Sequence, residues 1–128
     1  MKKKTVFSFL SVIFVAVFAL SACGGSKSSS SGGSTKTIDV ALLDDGTTMS
    51  IEPASISVKE GTDLTLKVTN KGTQVHNLKL EDGSGTADLP ANAAAELKVG
   101  KVTADSQLHC AIAGHKEQGM VLDLTVEK

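Results

Sequence analysis

The sequence predicts an all-β domain, a sandwich or barrel built from short strands. From Ile38 onward, apolar residues alternate with polar ones at a period of two, which is the pattern of strands that bury one face. Turn segments that contain glycine separate these alternating stretches. The core must be aliphatic, because all four Phe lie in the first eighteen residues and the chain has neither Trp nor Tyr.

Residues 1–22 are expected to be the signal peptide of a bacterial lipoprotein. Three lysines precede an apolar run from Val6 to Leu20, which is short for a membrane-spanning helix and typical of an export signal. The end of that run resembles a lipobox, and this resemblance implies that Cys23 is lipidated and becomes the mature N-terminus. The alternatives are a plain secreted protein with Cys23 free, or a disulfide between Cys23 and Cys110.

The segment 23–37 is expected to be a flexible linker, because it is mostly Ser and Gly and cannot bury apolar surface. A tether of about thirteen residues spans roughly 20 Å, enough to hold the domain at 38–128 clear of lipid headgroups. A membrane-tethered carrier would use such a linker, and so would any binding lipoprotein. The linker therefore does not distinguish between functions.

The charge balance argues against nucleic acid as a partner. The formal net charge is −1, and it becomes −4 if the three lysines of the signal peptide are removed, because 10 Lys then face 14 Asp and Glu. The remaining lysines are scattered and arginine is absent. A phosphate-binding face needs clustered cations, so we expect none here.

The alternating segments predict the order of strands along the domain. Each has its apolar residues on one face and polar residues on the other, which indicates half-buried antiparallel sheet. The stretch 91–96 could pass for a helical turn, but it is too short to be stable alone and strand composition prevails. The predicted strands are centred on Val40, Ile56 to Val58, Leu66, Leu78 to Leu80, Leu97, Leu108 to Cys110, and Leu124.

Three side chains that can bind a soft metal follow one another at even spacing near the last strand. They are Cys110, His115 and Met120, and a second histidine, His76, lies well upstream. One thiolate, two imidazoles and a weak axial thioether form the ligand set of a blue-copper site. Zinc could also bind Cys and His, but its structural sites rarely include methionine. The residue types therefore favour one copper ion.

At this point the chain resembles a cupredoxin, over nearly all of residues 38–128. The pattern from Pro53 to Asn70 resembles the strand pair that leads to the first histidine ligand in that family, and the spacing of the Cys-His-Met motif is most similar to that of auracyanin and rusticyanin. The resemblance implies a Greek-key β-sandwich or barrel. It also implies that Asn77 braces the ligand loop, and that the ligands of one type 1 copper are His76, Cys110, His115 and Met120.

One position departs from the family pattern, in which an aromatic residue often precedes the cysteine. Here His109 takes that place. The same His-Cys pair occurs in copper nitrite reductases, where the histidine binds a second, catalytic copper. That second site needs further histidines, and this chain has only three in all. Alternation along a strand predicts that His109 points away from the metal, toward solvent.

The resemblance implies a lipid-anchored, monomeric carrier of single electrons outside the cytoplasm, and not an enzyme. Its partners would be redox proteins such as a c-type cytochrome, a cytochrome complex or a terminal oxidase. Electrons are expected to pass through the edge of His115, beside a small apolar patch at Ala111, Ile112 and Ala113. The first alternative is a lipoprotein that stores copper or delivers it to an oxidase. The second is a metal-free binding module with the same fold, and an enzyme ranks last.

Overall fold

The computed structural model describes residues 33–128, and within that range the regular elements are eight β-strands. No helix in this part of the chain is long and apolar enough to cross a membrane. The all-β class and the sandwich architecture predicted from the sequence are confirmed. The strands are β1 (Thr35–Asp44), β2 (Met49–Glu52), β3 (Ser55–Lys59), β4 (Thr62–Asn70), β5 (Lys79–Leu80), β6 (Ala94–Val102), β7 (Ser106–His109) and β8 (Val121–Glu127).

The strands form two four-stranded sheets, one in the order β2-β1-β4-β6 and the other in the order β3-β8-β7-β5. Both sheets are mixed, which corrects the expectation of purely antiparallel pairing. β1 runs parallel to β4 with Val40 opposite Val68, and β3 runs parallel to β8 with Ile56 opposite Leu124. A period-two pattern reports which face of a strand is buried, but it does not report the direction of the neighbouring strand.

The first sheet begins earlier than predicted and contains one strand that the sequence did not reveal. β1 starts at Thr35, so the last three residues of the expected linker 23–37 pair with Asp63 to Thr65 of β4 although their side chains are exposed. Backbone hydrogen bonds, which do not depend on apolar side chains, explain this extension. β2 was missed because it has only two buried apolar residues, Met49 and Ile51, between polar turns.

The core between the sheets is aliphatic, as predicted. In β4 the even-numbered residues from Thr62 to Asn70 are buried, whereas the odd-numbered ones are exposed or half-buried. Burying one leucine or valine side chain contributes about 1.5–3 kcal/mol, so this strand alone supplies a large share of the stability. The side chains with no solvent exposure include Leu42, Leu64, Leu66, Val68, Leu78, Leu108, Cys110, Met120 and Leu122.

The predicted signal peptide at 1–22, the lipidation site Cys23 and most of the predicted linker lie outside the described residues. Within them, the strand predicted in place of a helical turn around 91–96 is present, as β6 from Ala94 to Val102.

Two surface turns are closed by aspartate side chains. Asp82 Oδ1 accepts hydrogen bonds from the hydroxyl and the backbone N–H of Ser84, at 2.6 and 2.8 Å. These bonds stabilise the ionised carboxylate, and the Ser84 hydroxyl contributes most to lowering the pKa of Asp82. Asp45 forms a similar turn with Thr47 and Thr48, and their N–H and hydroxyl groups likewise lower its pKa.

We expect acid to weaken the fold partly through Asp82. Because its pKa is lower in the folded state, its contribution is present above the unfolded value and is lost as pH falls from about 4 toward the folded value. Asp82→Asn removes this titration, while the amide oxygen can still accept both bonds from Ser84. Urea unfolding between about pH 5 and pH 2.5 should show a shallower fall in unfolding free energy for the variant. An unchanged slope contradicts the prediction.

Candidate metal centre

The residues predicted as ligands lie at one end of the sandwich, where strands of the second sheet begin or end. His76 precedes β5, Cys110 follows β7, and Met120 precedes β8. β5 and β7 pair antiparallel with Lys79 opposite His109, so the start of one strand lies beside the end of the other. His115 lies in the turn that connects β7 to β8. The topology therefore gathers residues that are far apart in sequence.

Three potential metal-binding atoms converge inside this end. His76 Nδ1 lies 3.1 Å from His115 Nδ1, which lies 3.5 Å from Cys110 Sγ, and the donor atoms of all three residues lie within 4.8 Å of one another. Two imidazole nitrogens at about 2.0–2.1 Å and a thiolate at about 2.3 Å from one ion stand roughly 3–4 Å apart. His76 and Cys110 have no solvent exposure and His115 is 7% exposed. The three side chains therefore fit a single buried metal ion.

His76 is held through both its backbone and its ring. Its N–H donates to the Leu89 carbonyl at 3.1 Å and its carbonyl accepts from the Leu89 N–H at 2.7 Å. Its Nε2 lies 2.8 Å from Asp44 Oδ2, and both side chains are fully buried. A carboxylate can only accept, so Nε2 carries the proton, and in the neutral ring Nδ1 keeps its lone pair toward the cluster.

Asp44 is a site residue that the sequence analysis missed. Followed by Asp45 and Gly46 at the end of a strand, it has the composition of an ordinary turn. Its carboxylate is ionised because hydrogen bonds, first from the Thr73 hydroxyl and then from the Gln74 N–H, hold its pKa well below the usual range against the opposing effect of burial. No local pattern signals that this side chain meets His76.

Asn77 links the two segments that carry His76 and Cys110. Its Oδ1 accepts from the Ala111 N–H and its Nδ2 donates to Asp88 Oδ1, both at 2.8 Å. Its own backbone N–H lies 3.5 Å from Cys110 Sγ and donates to the sulfur. Hydrogen bonds to a coordinating thiolate influence the electronic properties of a metal centre. The Asn77 side chain therefore ties the segment that follows His76 to the segment that follows Cys110.

The turn between Cys110 and Met120 is closed by the backbone. The Met120 N–H donates to the His115 carbonyl and the Met120 carbonyl accepts from the Cys110 N–H, each at 3.1 Å. Met120 has no solvent exposure. Gly114 and Gly119 have φ values of 84° and 107°, a left-handed backbone region that favours glycine. The backbone of Met120 is therefore hydrogen-bonded to both of the other motif residues, Cys110 and His115.

His115 is favoured in its neutral form. Burial of the ring is the main cause that lowers its pKa, and the neighbouring His76 lowers it further, whereas Asp44 opposes the shift. A metal ion binds only the neutral imidazole, so the same desolvation that disfavours protonation favours metal binding.

His109 does not simply face solvent, which corrects the sequence expectation. The residue is half-buried, and its Nδ1 is buried without a hydrogen-bond partner among the described residues. Its position opposite Lys79 and Val121 in the middle of the second sheet explains the burial, because β5 and β8 flank it on both sides. It is not part of the cluster formed by His76, Cys110 and His115.

Comparison with known proteins places these observations in a family. Residues 11–122 match the family model described as a cupredoxin-like domain. No curated protein matches the chain significantly in sequence. Among solved structures, reduced auracyanin from Roseiflexus castenholzii is 18% identical, with a TM-score of 0.61 over 75% of this chain and 100% of that protein. Auracyanin A from Chloroflexus aurantiacus is 15% identical, with a TM-score of 0.57 over 72% of this chain and 100% of that protein.

Larger copper proteins share the fold as well. A blue copper oxidase from Nitrosomonas europaea is 21% identical, with a TM-score of 0.60 over 73% of this chain. The match covers only 39% of that oxidase, so this chain spans well under half of its length. At these identities the likeness concerns the fold alone.

Asn77→Ala should destabilise the copper-free protein by about 1–3 kcal/mol, because it removes two hydrogen bonds of a buried side chain, one from the Ala111 N–H and one to Asp88. The matched control is Gln107→Ala, which removes an exposed amide-to-carboxylate bond to Asp123 and should cost less than about 0.5 kcal/mol. Urea unfolding without metal measures both. Equal losses would mean that Asn77 braces nothing.

Proposed function

The chain belongs to the cupredoxin-like domain family, and we propose that it is a type 1 blue copper protein that carries single electrons between redox partners outside the cytoplasm. The observation that carries this proposal is the buried convergence of two imidazole nitrogens and one thiol, with 3.1 and 3.5 Å between neighbouring donor atoms. Both auracyanins, full-length matches to the domain, support the choice, and the second is described as a blue copper protein.

The proposed ligands are His76, Cys110, His115 and Met120. Thiolate and thioether sulfur are soft donors that favour copper, and imidazole serves both Cu(I) and Cu(II). Zinc sites rarely include methionine, so a thioether ligand favours copper over zinc. Met120 is buried, and its backbone bonds to both Cys110 and His115. Copper bound there would supply a one-electron couple between Cu(I) and Cu(II).

The protein's contribution is to hold these ligands still and exclude water. The bridge between His76 and Leu89, the Asn77 bonds and the backbone closure at Met120 each tie one ligand segment to its neighbours. Ligands that move little between oxidation states keep the reorganisation on electron transfer small. A site ligated fully by protein leaves no position for a substrate, so we propose a carrier and not an enzyme.

Partners would dock over the only ligand that approaches the surface. His115 is 7% exposed, and the neighbouring Ala111 and Ala113 are exposed while Ile112 is half-buried. Val75, which precedes His76, is 45% exposed and adds apolar surface. A small apolar face suits brief encounters between redox proteins. We propose that the partners are proteins such as a c-type cytochrome, a cytochrome complex or a terminal oxidase.

Copper added to the purified protein should produce an intense visible thiolate-to-copper charge-transfer band. Cys110→Ser should abolish the band, because the hydroxyl cannot replace the thiolate. His109→Gln serves as the control and should keep the band, since His109 lies outside the cluster. A colourless wild-type protein, or colour that survives Cys110→Ser, rules the proposal out.

Copper storage or delivery to an oxidase is the competing function with the same ligands. It requires the ion to leave, whereas the burial of His76 and Cys110 favours retention. A carrier should cycle reversibly by one electron and keep its copper in the presence of a mild chelator. Rapid loss to that chelator favours delivery.

We also propose that a lipid on Cys23 anchors the domain to the outer face of the cytoplasmic membrane or to a periplasmic face. Cys23→Ser should release the protein from the membrane fraction into the soluble extracytoplasmic fraction, because its acyl chains are lost. Cys110→Ser is the matched control and should stay with the membrane. Equal distribution of the two variants contradicts the anchor.

A further inference from the structure

Asp44 ends β1 of the first sheet, and its buried carboxylate lies directly behind the imidazole of His76. Asp44 Oδ2 and His76 Nε2 are 2.8 Å apart, and neither side chain has any solvent exposure. The partial exposure of Asp44 as a residue therefore comes from its backbone. The two residues are 32 positions apart in sequence, so the contact depends on the tertiary fold.

The Asp44 carboxylate is itself held by hydrogen bonds from the loop at 72–74. Its Oδ2 accepts from the N–H groups of Thr73 and Gln74 at 2.7 and 3.0 Å, and its Oδ1 accepts from the Thr73 hydroxyl at 2.6 Å. Gly72 lies against it so closely that a Cβ there would collide with Asp44 Oδ2. The loop at 72–74 thus provides donors and space for one ionised carboxylate.

We propose that Asp44 is a positioning residue that orients His76 and, through its buried negative charge, favours Cu(II) over Cu(I) at the site. This inference rests on the proposed copper site. A histidine that donates its second ring N–H to a carboxylate has a fixed tautomer and is a more basic ligand. The extra charge stabilises the more positive oxidation state, and its effect is weakly screened because the pair excludes water.

The chain offers a matched control in the next residue. Asp45 also accepts bonds from N–H and hydroxyl groups, those of Thr47 and Thr48, but it is exposed and none of these bonds involves His76. Asp44→Asn and Asp45→Asn therefore remove the same formal charge from adjacent positions. Only the first charge lies behind a proposed ligand and is shielded from water.

Asn is a close replacement for Asp44. Three N–H donors meet at the Oδ2 position, so the amide oxygen is expected to lie there, and the amide nitrogen can donate to the Thr73 hydroxyl oxygen. The hydrogen bond to His76 is then kept while the charge is lost. This variant separates the effect of charge from the effect of orientation.

The first test is the reduction potential of the copper-loaded protein. Asp44→Asn should shift the Cu(I)/Cu(II) equilibrium toward Cu(I) about tenfold, a rise of about 59 mV, while the visible band persists. Asp45→Asn should shift the equilibrium less than about twofold, because its charge is screened by solvent. Equal shifts in the two variants, or a fall in the potential of Asp44→Asn, would overturn the inference.

The second test needs no metal. Nitrogen NMR of the copper-free wild type should show His76 protonated at Nε2, with that proton protected from exchange with water. Asp44→Ala should accelerate the exchange at least tenfold, whereas Asp44→Asn should preserve the tautomer. A His76 protonated at Nδ1 in the wild type would refute the orienting role. A protein that has the expected tautomer but develops no blue band refutes the copper proposal instead.

Discussion

A cluster of metal-binding side chains inside an aliphatic core is tolerable only if the polar groups around it are hydrogen bonded. Burying an unpaired polar group costs more than a typical hydrogen bond contributes, so each such group needs a partner. Here three short side chains provide several of these partners. Asn70 donates to the carbonyls of Gln74 and Leu89, Asn77 accepts from Ala111, and Asp44 accepts from Thr73.

The hydrogen bond between Asp44 and His76 links the two sheets at the end that carries the cluster. Asp44 and Asn70 terminate β1 and β4 of the first sheet, whereas His76 and Cys110 border β5 and β7 of the second. The contact between Asp44 and His76 therefore crosses from one layer to the other. The ligand geometry depends on how the layers pack, and the close-packed core transmits that constraint to the loops.

The sequence revealed those parts of the fold and site that depend on local pattern. Alternation in β4 predicted the buried Leu64, Leu66 and Val68, and the spacing of Cys110, His115 and Met120 is compact enough to be recognised. Asp44 could not be predicted because its partner, His76, lies 32 residues away, beyond the end of β4, which pairs in parallel with β1. The strand pattern does not contain that information.

The same limit explains the two expectations that were wrong, the solvent exposure of His109 and the antiparallel pairing of all strands. Alternation placed His109 on the face opposite Cys110, but whether that face is covered depends on neighbouring chain segments. Parallel and antiparallel neighbours give similar side-chain periods, so the mixed sheets were not foreseen.

The place of β8 within its sheet has a consequence for the order of assembly. β8 is the last strand in chain order, yet it lies between β3 and β7, and β3 pairs with no other strand of the described domain. During synthesis from the N-terminus, the second sheet stays divided until this strand emerges. Until then the Cys110 N–H lacks its acceptor, the Met120 carbonyl, and the Cys110 thiol is not enclosed by the completed sheet. Cys110, the only cysteine among residues 33–128, is therefore enclosed only after β8 has joined its sheet.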